Sequence, residues 1–149
     1  MGTELIYLIL VLVGLCLGSF SGATVWRLRA RQLAIDRSRH EAYDKEEYEQ
    51  LKKLTKATVM HDYSQCLHCS YRLRWYDLVP LISWISLRGR CRQCRKPIGH
   101  LEPLIELGVA SLFVASYALW PYQLGTGLEV AQFVVWLVAG VGLAILFAY

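Results

Sequence analysis

The sequence predicts an α-helical polytopic membrane protein with about three transmembrane helices and a small cytoplasmic four-cysteine, zinc-ribbon-like lobe between the first and the second. Three observations carry this reading. Hydrophobic residues make up 55% of the 149-residue chain and charged residues 19%, against about 45–50% and about 25% in ordinary globular proteins. Residues 5–26, 107–128 and 130–149, runs of 22, 22 and 20, contain no Asp, Glu, Lys or Arg, and roughly 20 apolar residues are enough to cross a bilayer as a helix. Four of the five cysteines form two Cys-x-x-Cys pairs in the polar stretch between the first two runs. Together these features exclude an ordinary soluble enzyme, a disordered or collagen-like chain and a secreted disulfide-rich protein. The chain has no Asn and so no N-glycosylation acceptor.

The first element, 1–28, reads as a retained membrane anchor. Its apolar run is long, no basic residue precedes it and Arg27 follows it directly, unlike a signal peptide with a basic start and a shorter apolar core. All 16 Lys and Arg lie between Arg27 and Lys96, and residues 27–103 hold them against nine acidic residues, for a net +7. Arg27, Arg29 and Arg31 stand at one end of this loop and Arg88, Arg90, Arg92, Arg95 and Lys96 near the other. Excess basic charge beside spans marks the cytoplasmic side. The N-terminus and the turn near residues 120–129 are then outside. Gly14, Gly18 and Gly22 recur every four residues on one face of the first span, a spacing that lets helices approach closely. Cys16 reads as a small buried residue.

Residues 29–63 form a variable charged cytoplasmic segment. Tyr48, Leu51 and Leu54 fall at helical spacing, Glu49 and Lys53 suit an i,i+4 pair, and the charge run reads as a solvated face. No internal repeat is visible. Residues 64–103 form the cysteine lobe, with short stretches suited to hairpins. Residues 104–149 supply two further spans, joined by a turn marked by Pro121, Gly125 and Gly127. Gly140-Val141-Gly142 lacks the strand and βαβ context of a nucleotide fingerprint.

The lobe carries the chemistry. Cys66-Leu67-His68-Cys69 and Cys91-Arg92-Gln93-Cys94 are separated by 21 residues, a pattern that reads as a zinc site. Each knuckle presents two thiolates on a tight turn, and two knuckles complete a tetrahedron at about 2.3 Å from the metal. Arg90, Arg92 and Arg95 flank the second knuckle, where their charge would favour thiolates. Paired disulfides are the alternative in an oxidising compartment, which a cytoplasmic loop is not. A redox Cys-x-x-Cys needs a thioredoxin-like context that is missing here. His61, His68 and His100 read as bystanders, because four cysteines close a structural site and leave no place for a catalytic water.

The chain resembles the type IV prepilin leader peptidase and N-methyltransferase family. The matching residues are Gly18-Ser19-Phe20 with Arg27-Leu28, and the Cys66/Cys69 knuckle running into Trp75-Tyr76-Asp77-Leu78-Val79-Pro80-Leu81-Ile82-Ser83-Trp84. They continue with Leu87-Arg88-Gly89-Arg90-Cys91-Arg92 through Cys94 to Pro97-Ile98, and end with Pro103-Leu104-Ile105-Glu106-Leu107. The resemblance implies a multi-pass enzyme of the bacterial inner membrane. Such an enzyme removes the basic leader of pilin-like precursors at the cytoplasmic face, then methylates the new N-terminus with S-adenosylmethionine. The cysteine-bearing domain is associated with methylation and folding, and the peptidase is an aspartic protease with two aspartates at the cytoplasmic membrane boundary. Gly89 and Arg90, within the matched motif, are carried over as candidate functional residues.

This chain departs from the family at Gly22, where Asn is usual, and at Leu101-Glu102, where Arg-Tyr is usual. The resemblance also places both catalytic aspartates beyond Tyr149, so the expected partners include a separate downstream catalytic half. A truncated gene, a partial sequence and one half of a split protein are the alternatives. Among the carboxylates present, Asp36, Asp44 and Asp62 read as solvated and Asp77 as a structural acceptor near the lobe. Glu106, at the mouth of the second span, is a functional candidate by position or an anchor for the lobe. The competing reading is a non-catalytic membrane-anchored zinc module that binds proteins or anionic surfaces. Membrane lipid is a partner in either case, and nucleic acid is not expected, because no reading element is evident.

The topology has a direct consequence. An engineered thiol within residues 37–56 should resist a membrane-impermeant maleimide in intact cells and react only after permeabilisation; labelling from outside would reverse the orientation.

Overall fold

The computed structural model describes residues 2–56, 63–121 and 124–149; His61, Asp62 and the centre of the turn after the second span lie outside them. The described residues form α1 (Thr3–Ser38), α2 (Lys45–Leu51), α3 (Ile82–Ser86), α4 (Leu101–Ala118) and α5 (Gly127–Ala148), with 3-10 turns at Leu54–Lys56 and Trp75–Asp77. Their only β features are isolated antiparallel bridges between Gln65 and Arg72 and between Arg90 and Pro97. Helices α1, α4 and α5 are each long and apolar enough to cross a membrane. The chain divides into two compact units, one built from residues up to Gly22 with Leu101–Ala118 and α5, the other from Ala23–His100 with Tyr149.

In the first unit the glycine face of α1 packs on α4. A Cβ built on Gly14 would lie 2.6 Å from the Ala110 Cα, and one on Gly18 would lie 2.6 Å from the Glu106 Cα. These contacts are backbone to backbone, so neither side can yield. Leu10, Val109, Phe113 and Phe133 form the buried core. Near the expected outer end, Tyr7 meets Tyr117 edge-on at 5.3 Å and Trp120 meets Phe133 at 4.9 Å, in keeping with aromatic enrichment at membrane interfaces. The Trp136 indole donates to the Ser116 hydroxyl at 2.9 Å. Thr126 and Glu129 form a reciprocal cap at the start of α5, with Glu129 accepting from the Thr126 amide and Thr126 accepting from the Glu129 amide.

One expectation, that Cys16 is buried, is corrected here. The second helix begins at Leu101, ahead of the uncharged run at 107–128, and ends at Ala118, before the turn marked by Pro121. Lack of charge marks where lipid can lie, whereas helix ends follow from caps and breakers; Pro103 is tolerated because it sits in the first turn. Cys16 is exposed on α1, because the face of a span that meets lipid has no protein to cover it.

In the second unit α1 runs on to Ser38. Arg27, Arg29 and Arg31 therefore lie on the helix instead of following it, and Arg, Ala, Gln and Leu are good helix formers. Ala30 and Leu33 bury against Leu51, with Trp26, Tyr43, Tyr48, Leu54 and Leu67 packed around them. Arg29 forks onto Glu47 at 3.0 and 2.8 Å, and Asp44 caps α2 by accepting from the Glu46 and Glu47 amides. The charged segment is thus not only a wet face. The expected Glu49–Lys53 pair is replaced by Glu49–Lys52, while Lys53 reaches the Ser70 hydroxyl. Asp36 lies within α1 and accepts from Gln32 at 2.7 Å.

The α1–α4 contact predicts an asymmetry between glycines. Gly18→Ala should cost about 1–3 kcal/mol by overpacking, read as a lower unfolding temperature in detergent. Gly108→Ala, where a Cβ would meet nothing within 4 Å, should be neutral or stabilising through helix propensity.

Candidate metal centre

The two knuckles share one backbone design. Cys66 N–H bonds the Tyr71 carbonyl and Ser70 N–H bonds the Cys66 carbonyl, both at 2.9 Å; Cys91 N–H to Lys96 and Arg95 N–H to Cys91 repeat this at 2.9 and 3.0 Å. The outer pair, Leu73 N–H to Ser64 and Ile98 N–H to Gly89, also recurs, at 2.8 and 2.7 Å. Each knuckle closes with a residue in the left-handed region, Ser70 at φ 59° and Arg95 at φ 60°. Every equivalent position is 25 residues further along, from Cys66 to Cys91 and from Cys69 to Cys94. The sequence hides this structural repeat because only the cysteines match.

The four Sγ atoms lie within 4.8 Å of one another. Cys66 is 3.9 Å from Cys94, and Cys69 is 3.9 Å from Cys91. All are free thiols, well beyond the S–S length of about 2.05 Å in a disulfide. Four thiolates at about 2.3 Å from a tetrahedral zinc stand about 3.8 Å apart, so this donor set fits the ion. Among the described residues no other group of His, Cys, Asp or Glu is placed to hold a metal. His68 and His100 are exposed and outside the cluster.

Crowding sets the thiols against one another. Burial pushes the Cys66 thiol up to about 12, against donation from the Cys69 and His68 amides. At Cys91 burial acts upward, yet the Cys94 and Gln93 amides and the neighbouring thiols outweigh it and bring the group down to about 7. Cys94 is raised although the Lys96 amide pulls it down, because burial and the Cys69 and Cys91 side chains prevail. Four sulfurs this close cannot all ionise unless a cation takes up their charge.

Asp77 and Arg92 brace the second knuckle. The Asp77 side chain is 1% exposed and accepts from Arg92 Nε at 2.8 Å and from the Arg74 amide at 3.2 Å. Arg92 also lies over the Tyr76 ring, 5.1 Å from its centroid. Arg92, one of the three arginines expected to favour the thiolates, is therefore engaged by Asp77. Gly89 is buried at φ 66°, and a Cβ there would sit 3.0 Å from the Trp84 ring, so both conformation and packing require glycine. Trp84 in turn donates to the Gly99 carbonyl at 3.2 Å and stacks edgewise on His100. Arg90 is exposed, its backbone in the bridge to Pro97. Glu106 belongs to the other unit, buried against Gly18. Gly22 and Glu102, positions that depart from the resembled family, face each other there, a Cβ on Gly22 lying 3.8 Å from the Glu102 Cγ. The Asp77–Arg92 brace was not foreseen as a pair; its only sequence signal was one carboxylate in a lobe full of arginine.

Fold and site define a polytopic membrane protein whose first two spans bracket a lobe with four clustered cysteines able to hold a metal ion. The chain belongs to the bacterial peptidase A24 N-terminal domain family, whose model matches residues 12–120. It is 32% identical to the type 4 prepilin-like proteins leader peptide-processing enzyme of Escherichia coli O78:H11 over 129 residues, 85% of this chain and 44% of that protein. It is 31% identical over 128 residues to the prepilin leader peptidase/N-methyltransferase of Myxococcus xanthus, covering 85% of this chain and 31% of that protein. Against the prepilin leader peptidase/N-methyltransferase of Dickeya chrysanthemi it is 38% identical over 114 residues, 76% and 39% of the two chains. It spans less than half the length of these relatives and matches their N-terminal domain. No solved structure matches it.

The sulfur geometry predicts one zinc per purified chain by elemental analysis, lost on Cys91→Ser with Cys94→Ser. Binding should release protons and weaken as pH falls, because the ligands must be thiolates; titration in two buffers of different ionisation enthalpy would count them.

Proposed function

We propose that this chain is the N-terminal, metal-bearing part of a prepilin leader peptidase/N-methyltransferase. In the whole protein it would support leader cleavage and N-methylation of type IV pilin-like precursors. The observation that carries this reading is the family match over residues 12–120, with the four-sulfur cluster inside it. In this reading zinc is held by Cys66, Cys69, Cys91 and Cys94 and is structural, since four thiolates leave it no open position. S-adenosylmethionine is the methyl donor.

The proposed division is a first span at 1–28, a charged segment at 29–63, the lobe at 64–103 and two further spans at 104–149. The protein sits in the bacterial inner membrane with the lobe on the cytoplasmic side. Asp77 and Gly89 shape the lobe, Arg90 is presented to solvent for contact with other parts of the enzyme, and Glu106 anchors α4 against α1. Peptide cleavage belongs, in this reading, to the part of the family's enzymes that follows the region matched here. Aspartic proteolysis needs two carboxyl groups sharing a site, whereas residues 63–100 contain one, Asp77, already occupied by Arg92.

Reconstitution with a pilin precursor tests this. The 149-residue chain should leave the leader intact, and adding the downstream half of a relative should restore cleavage. Cleavage by the short chain alone, abolished by Glu102→Gln or Glu106→Gln, would place the active site on α4 and overturn the reading.

A further inference from the structure

Residues 63–100 carry seven Lys and Arg and one acid, Asp77. Asp77 is buried against Arg92, so this lobe shows solvent only cationic charge. On the same lobe Trp75 is 78% exposed, Ile82 67%, Ile85 65% and Leu78 45%. These side chains stand on the 3-10 turn Trp75–Asp77, on the residue after it and on α3, and turn and helix pack against each other. Arg74 immediately precedes the turn. Arg88 lies two residues beyond α3, its amide bonded to the Ile85 carbonyl at 3.0 Å. Contiguous exposed apolar residues rimmed by polar ones mark an interaction site.

We propose that Trp75, Leu78, Ile82 and Ile85, rimmed by Arg74 and Arg88, form an interfacial docking surface for the anionic leaflet of the membrane that this chain spans. Charge complementarity selects that occupant. Basic residues beside a membrane are drawn to its anionic leaflet, and this rim is basic and its lobe exposes no carboxylate. An exposed Trp beside aliphatic side chains suits the headgroup boundary, and arginine stems lie along apolar surface while their heads reach phosphate. The lobe is joined at both ends to membrane-crossing helices, so the leaflet is present at high effective concentration and a weak contact suffices. None of this depends on the peptidase reading, and a non-enzymatic anchor would dock in the same way.

The test uses the full chain in phosphatidylcholine vesicles with and without phosphatidylglycerol. Trp75 emission is taken as the difference between the chain and its Trp75→Phe variant. Lipids brominated close to the headgroup should quench most of that emission when phosphatidylglycerol is present. The quenching should weaken in phosphatidylcholine alone and in Arg88→Glu, and aqueous iodide should have little effect. Quenching by iodide with none by bromolipid would overturn the proposal. A benzophenone amino acid at position 82 gives an independent reading in native membranes: lipid adducts support the leaflet, and adducts only to polypeptide assign the surface to a protein partner and overturn it. Retention of one zinc per chain shows that each variant lobe is folded.

Discussion

Four sulfur atoms within 4.8 Å of one another are the constraint on which the lobe depends. Among its described residues 63–100 only Asp77, Gly89 and Cys91 are buried. Neither hydrophobic cluster belongs to the lobe; it lends only Leu67 to the packing around Ala30, Leu33 and Leu51. Nearly forty residues with isolated bridges and no apolar core of their own fall below the size at which burial alone sustains a fold. Each knuckle is internally determined by its three backbone hydrogen bonds. An ion shared by the four sulfurs would fix one knuckle against the other, while Asp77 to Arg92 and Trp84 over Gly89 brace the second knuckle. In such a lobe, metal affinity is folding free energy.

The membrane unit obeys a different constraint. Lipid tails offer no hydrophobic drive for helix association, so close approach must come from small residues. Gly14 and Gly18 bring the α1 backbone onto that of α4 at Ala110 and Glu106. Glu106 is buried in this unit, while most of the apolar surface of the spans stays exposed. A carboxylate at a span end is tolerable when protein packing encloses it.

How much of this could be read from the sequence depended on the range of the signal. The cysteine pairs and the uncharged runs are local patterns with one physical meaning, and the four-sulfur cluster and three helices follow from them. The glycine spacing likewise identified the packing face of α1. The end of α1 was misjudged because charge marks the limit of lipid, whereas helix propagation through Arg27–Arg31 depends on backbone propensity and on burial of Ala30 and Leu33 against a segment 18 or more residues away. Lys53 turns to Ser70 and not to Glu49 for a similar reason: an i,i+4 pair is worth only a few tenths of a kcal/mol, easily outweighed by tertiary placement. The repeat of the two knuckles leaves no sequence pattern, because it resides in backbone hydrogen bonds, which impose no side-chain identity beyond the cysteines.

The distribution of carboxylates limits what the lobe can contribute chemically. Its one acid has both oxygens engaged, Oδ1 by Arg92 and Oδ2 by the Arg74 amide. General acid–base work requires a group free to exchange a proton with a substrate or a water, and an ion closed in by four thiolates would provide no such water. His68 and His100 are exposed and outside the cluster, and the fixed charges that remain are arginines and one lysine, which neutralise and position anions. The chemistry therefore points to placement as the lobe's contribution: holding the polar segment between two spans in one conformation, with its cations and its Trp75 surface turned outward. In that arrangement the four-cysteine cluster and the basic rim have separate tasks, so opening the cluster by Cys91→Ser with Cys94→Ser should scatter the rim, whereas reversing a rim charge should leave the cluster closed.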